Sequence, residues 1–169
     1  RADIFTIDEL AQATQAMPHD GLYRCTVALV NSLEGAGDDR EVQWRNRIQP
    51  YWHQIWPKAL ERNSDKIAEQ LARLAIAARN EFPSALTTIR DWLRPIEYPH
   101  FVVRLLNQAG LCERFPEPAL EFLNLMIVSQ PWAPRDLRKC LELIASAWPG
   151  VEQDHRFQRL LEYARRHGQ

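Results

Sequence analysis

Only six glycines are spread over the 169 residues, and none falls in a GxGxxG or GxxxxGK spacing, so phosphate-cradling loops of those kinds are excluded. The three cysteines, Cys25, Cys112 and Cys140, are too few, too widely spaced and odd in number for a disulfide framework or a paired-thiolate zinc site. They read as reduced core residues of a cytoplasmic protein. The five histidines are scattered, with no HExxH and no Cys/His cluster, so neither a metal nor any other cofactor is expected. No apolar run approaches the roughly 20 residues that cross a bilayer, and no basic segment with an apolar stretch behind it marks a secretory leader. Net charge is also missing: 21 Lys+Arg stand against 22 Asp+Glu, which leaves no global field to attract nucleic acid or an anionic membrane. No segment alternates with period two between turn residues, so no strand is placed. A GxSxG elbow is absent, and the cysteines sit in apolar helical patterns rather than beside a base.

What is present is helical. Hydrophobic residues make up 46% and charged residues 25%, a globular composition in a length that suits one domain. Thr6 and Glu9 form a capping box ahead of Ile7, Leu10, Ala11, Thr14 and Met17, which recur at helical spacing. Pro18 ends that helix, Asp20 is expected to cap the next, and Leu22, Cys25, Leu29 and Leu33 share a face until the Gly35-Ala36-Gly37 break. A third helix follows Asp38 and Asp39 with Trp44, Ile48, Tyr51 and Ile55 on one stripe, and Pro50 predicts a kink or break near Gln49. Ser64 caps a helix buried through Ile67, Leu71, Leu74, Ala75 and Ala78. Later helices open at Pro99 and Pro134, and the last runs from about Val151 to Arg166.

Three aromatic-proline pairs, Phe82-Pro83, Phe115-Pro116 and Trp148-Pro149, recur at intervals of 33 residues. Proline suits the first turn of a new helix and pushes its predecessor out of helical geometry, so each pair marks the joint of a helical hairpin. Trp56-Pro57 repeats the element off register. The expected architecture is one all-α domain of about nine helices, with an irregular helical cap over 1–55 and stacked antiparallel hairpins over 56–167. The chain opens at Arg1 and enters a helix signal at once, which predicts a fragment of a longer polypeptide.

Three sets of residues are candidates for function. Trp52 and Trp56 lie beside the most aromatic stripe, where exposed faces would serve as interaction anchors and buried ones as core. Arg135, Arg138, Arg159 and Arg165, with Lys139, Arg156 and Arg166, lie on the C-terminal helices; gathered on one surface they would bind nucleic acid, although Glu142, Glu152, Asp154 and Glu162 are interspersed. Arg47 and His53 are separated by five residues, a spacing that resembles the Arg-x(4-6)-His motif of HEPN ribonucleases. That resemblance implies charge stabilisation at phosphate by Arg47 and acid–base work by His53, with Pro50 inside the motif where a regular helix is wanted.

The repeated joints and paired helices resemble HEAT-like α-α superhelical repeats over most of residues 56–167. More faintly, the Pro50-Tyr51-Trp52 element and the aromatic-Pro-x-Ala-Leu units are similar to C-terminal helical regions of large bacterial multidomain proteins, some carrying sirtuin-like or NTPase modules used in phage defence. These resemblances imply a non-catalytic scaffold that binds a protein partner or another part of its own chain, with chemistry elsewhere.

Overall fold

The computed structural model describes residues 6–127 and 131–168, which are all-α: they form helices and turns and contain no strand. The chain divides into two compact units, 1–92 and 93–169. The boundary expected after residue 55 falls inside the first.

In the first unit, Thr6 opens α1 (Ile7–Gln15) with both halves of the capping box: Thr6 Oγ1 accepts from the Glu9 N–H at 3.2 Å and Glu9 Oε2 from the Thr6 N–H at 2.8 Å. The start of α2 (His19–Glu34) departs from expectation, because Pro18 takes the capping position. Asp20 instead sits in the first turn, where its charge favours the helix dipole.

Of the kink or break expected near Gln49, the break does not occur, and an irregular turn lies there instead. Residues 40–54 run on without interruption through α3 (Arg40–Gln43), a π turn (Trp44–Ile48) and α4 (Gln49–Gln54). Proline lacks an N–H and its ring presses on the carbonyl four residues back. Just ahead of it the Gln49 N–H reaches five residues back to the Trp44 carbonyl, and this wider turn absorbs the ring without breaking the helix.

Ser64 Oγ accepts from the Ile67 N–H at 3.3 Å to start α5 (Asp65–Ala77). This helix is the centre of the unit. Its predicted stripe of Ile67, Leu71, Leu74, Ala75 and Ala78 is buried, and so are Ala68, Ala72, Ile76 and Ala77 on other faces. It is enclosed because α2 packs along it on one side and α6 (Phe82–Ile89) folds back on another, while α4 lies against α6. The chain turns from α5 into α6 through Arg79 at φ 51, a left-handed conformation adopted there without glycine.

In the second unit, α7 (His100–Gln108) ends at Gly110, whose φ of 69 is the left-handed turn that favours glycine. There follow α8 (Leu111–Arg114), α9 (Pro116–Met126), α10 (Leu137–Ala147) and α11 (His155–His167). Helix α10 packs against α7, α8, α9 and α11, and α9 against α11. With residues 40–54 counted as one helix, the described residues hold nine helices of seven or more residues. In the first unit α2 packs on α5 and α4 on α6; in the second α7 packs on α10 and α9 on α11.

The aromatic-proline pairs fall where one helix gives way to another, but in three different ways. Phe82 begins α6 and is fully buried, Phe115 caps α9, and Trp148 closes α10 ahead of a 3-10 turn over Val151–Gln153. Trp56-Pro57 opens no helix, since residues 56–59 are irregular. Pro50 lies 33 residues before Pro83 and yet is internal to a helix, so the interval alone does not define a joint.

Two of the three thiols are sealed in the second unit. Cys112 and Cys140 are buried, and a hydrogen bond to Cys140, then burial, pushes the Cys112 thiol far up. Cys25 is half-buried, its Sγ 3.7 Å from Met17 Sδ. A thiol-specific maleimide at neutral pH is therefore expected to label Cys25 at most in the folded protein and all three in denaturant; mass spectrometry of labelled peptides reads the outcome.

The final helix begins later than expected, at His155, because Asp154 caps it. Asp154 Oδ1 accepts from the Arg156 N–H at 2.8 Å, and its carboxylate is paired with the Arg156 guanidinium at 2.8 Å. The bond from the Arg156 side chain is the main reason that the Asp154 carboxyl drops from 3.8 to about 2. A depressed carboxyl contributes stability above its unfolded value and loses it as pH falls through its folded one. Urea denaturation between pH about 4 and about 2 is thus expected to show a loss that Asp154→Asn, which keeps the cap, removes.

Candidate functional site

The aromatic face of residues 44–56 turns out to be core. Trp52 and Trp56 are only 5% and 2% exposed, which corrects their assignment to a binding surface. They stack at 5.0 Å and 12°, and Trp92 meets both edge-on at 5.9 and 5.3 Å. Trp44 is fully buried and donates from Nε1 to Ser84 Oγ at 3.3 Å, while Gln49 Nε2 reaches Thr88 Oγ1 at 3.2 Å. Tyr51 leans on Trp56 at 6.5 Å, and burial, with the neighbouring Cys25, pushes its phenol up to about 12. The interior of the first unit therefore accounts for these rings.

Arg47 lies in the π turn and His53 in α4, both exposed. Arg47 thus stands near the end of the π turn and Gln49 to His53 are regular α-helix, and neither residue lines the groove described below.

Four of the C-terminal arginines, Arg138, Arg156, Arg159 and Arg166, have side-chain partners. Arg138 pairs with Glu142 at 3.3 Å and Arg166 with Glu162 at 2.6 Å, each one turn along its own helix. Arg159 donates to Asn124 Oδ1 at 2.8 Å and to the Asn124 and Ile127 carbonyls at 3.4 and 3.5 Å, so it closes the C-terminal end of α9. Arg165 is exposed on the last turn of α11, and Arg135 is exposed beside a groove.

That groove, of about 600 Å³, belongs to the second unit and is lined by residues of α7, the 132–136 segment and the end of α11. Its construction starts from the segment's backbone. The Ala133 N–H donates to the His167 carbonyl at 3.2 Å, and Tyr163 Oη donates to the Trp132 carbonyl at 2.9 Å. Tyr163 is buried and its ring lies 5.2 Å from His167. The main chain is thus anchored on α11 while the Trp132 side chain remains 63% exposed. Across the groove, Phe101 is 37% exposed and carries the Arg104 guanidinium 5.3 Å from its ring centroid. His100, Arg135 and Asp136 complete the lining, with Asp136 Oδ1 accepting from Asn107 Nδ2 at 3.5 Å.

Of the predicted site residues only Arg135 reaches this groove. Trp132 escaped notice because it belongs to no helical period. Its position among Pro131 and Pro134 was the available signal, since a tryptophan held between prolines has no helix face on which to bury itself.

Among the described residues no group of three or more His, Cys, Asp or Glu side chains could hold a metal ion, and no helix is long and apolar enough to cross a membrane. No family model matches the chain, and no solved structure does. The chain is similar to the uncharacterized protein y4cA of Sinorhizobium fredii, at 28% identity over 131 residues. The match takes in 75% of this chain and only 11% of that much longer protein.

Proposed function

We propose that this chain is a non-catalytic recognition or scaffold module of the HEAT-like kind, part of a larger bacterial protein and docking a protein partner or another part of its own polypeptide. The observation that carries the reading is the anchored but exposed Trp132 at the wall of a groove. Exposed aromatics with arginine neighbours are the side chains that dominate protein interfaces, and a fixed backbone spares the cost of ordering them. The contacts of α2 with α5 and α4 with α6, and of α7 with α10 and α9 with α11, support the repeat reading within each unit. Three free thiols support a reducing, cytoplasmic setting.

A photo-crosslinking amino acid placed at position 132 in cells is expected to capture a protein, identified by mass spectrometry, which positions 47 and 53 do not. The HEPN-like reading is the alternative, and cleavage of RNA by the purified domain, abolished by His53→Ala, would replace the proposal with it. A nucleic-acid module acting through the C-terminal arginines is a third reading, weakened by the ion pairs that occupy Arg138 and Arg166.

A further inference from the structure

We infer that the groove between α7 and the 132–136 segment takes an acidic peptide segment of a partner protein, a large apolar side chain seating against Trp132 and Phe101 and a neighbouring carboxylate meeting Arg104 and Arg135. The inference rests on the recognition reading above and adds the chemistry of the occupant. Trp132 and Phe101 are both exposed on this groove, and Trp132 is held from behind by the bonds from Ala133 and Tyr163. An exposed ring on an anchored backbone can bury apolar area on binding with little loss of freedom.

The charge is set by Arg104 and Arg135 against Asp136, two positive and one negative, a net of one positive charge with the histidines neutral. Asp136 is already engaged by Asn107, whereas Arg104 lies over Phe101 and Arg135 is exposed. A carboxylate is therefore attracted, and one beside an aromatic or aliphatic residue satisfies both walls at once.

A nucleic-acid strand fits less well. It needs a row of cations following its phosphates, and of the arginines close in sequence to the lining, Arg138 and Arg166 are each held by an acid of their own helix, with Arg165 exposed. The lining itself holds two arginines, Arg104 and Arg135.

The test pans a random heptapeptide library displayed on phage against the domain, against Trp132→Ala and against the Arg104→Gln, Arg135→Gln double variant. The expected result is enrichment of peptides with Asp or Glu next to Trp, Phe or Leu. A synthesised winner should weaken about tenfold or more on either variant, and weaken with added salt. Enrichment of basic or purely apolar peptides, equal recovery on the variants, or no enrichment overturns the acidic occupant. Binding of hexathymidylate that Trp132→Ala abolishes overturns it in favour of a single strand. If position 132 still crosslinks a protein in cells while the library shows no acidic preference, the recognition module stands and the acidic occupant falls.

Discussion

Trp56→Ala is expected to destabilise the first unit by about 3–5 kcal/mol, the range for removing a large aromatic from a packed interior. Trp56 is 2% exposed and lies between Trp52, stacked at 5.0 Å, and Trp92, edge-on at 5.3 Å. Both rings would face the cavity and neither can collapse into it without losing its own contacts, so the cost belongs near the top of the range. Trp56 Nε1 is also buried without a hydrogen-bond partner, a state that itself costs free energy. Trp56→Phe should therefore cost markedly less, because it retains an apolar ring and removes the unsatisfied donor. Urea denaturation of the three proteins checks the order. A Trp56→Ala variant within about 0.5 kcal/mol of the parent would mean that the ring is on the surface.

Trp132→Ala is expected to do the opposite. Its stability should stay within about 0.5 kcal/mol, since the side chain is largely in water and both anchoring bonds, from Ala133 N–H to the His167 carbonyl and from Tyr163 Oη to the Trp132 carbonyl, use main-chain atoms that alanine keeps. Partner binding should fall by about 2–4 kcal/mol, or roughly 30- to 900-fold, as for a central aromatic anchor. Titration calorimetry with the captured partner measures this. A large loss of stability with unchanged affinity would make Trp132 a structural residue.

The contrast between these two tryptophans shows what the sequence could and could not convey. Helices were legible wherever capping chemistry and a 3.6-residue period agreed, as at Thr6, Ser64 and the α5 stripe, because both signals are local. Pro50 announced an irregularity near Gln49 but not its kind, because the relief it needs, a Gln49 bond reaching back to Trp44, is a change of helix type that leaves no mark in residue spacing. Asp20 misled because Pro18 already occupied the cap.

The site was largely illegible for a related reason. Periodicity places Trp52 and Trp56 side by side but cannot say that Trp92, some 40 residues on, closes over them. Arg138 and Arg166 were read among interspersed acids, and Glu142 and Glu162, each four residues away, are the ones that pair with them. Trp132 lay outside every helical pattern; its place between Pro131 and Pro134 was the signal in the sequence, and the anchoring of its backbone on α11 is seen only in the fold.

Hydroxyl-radical footprinting of the six tryptophans, read by mass spectrometry, tests the central claim most directly, because it asks which ring the molecule presents to solvent. The account predicts that Trp132 is oxidised first and fastest, with Trp44, Trp52, Trp56 and Trp92 protected until the protein unfolds. Oxidation of Trp52 or Trp56 at the rate of Trp132 would contradict it and return the interaction surface to the first unit.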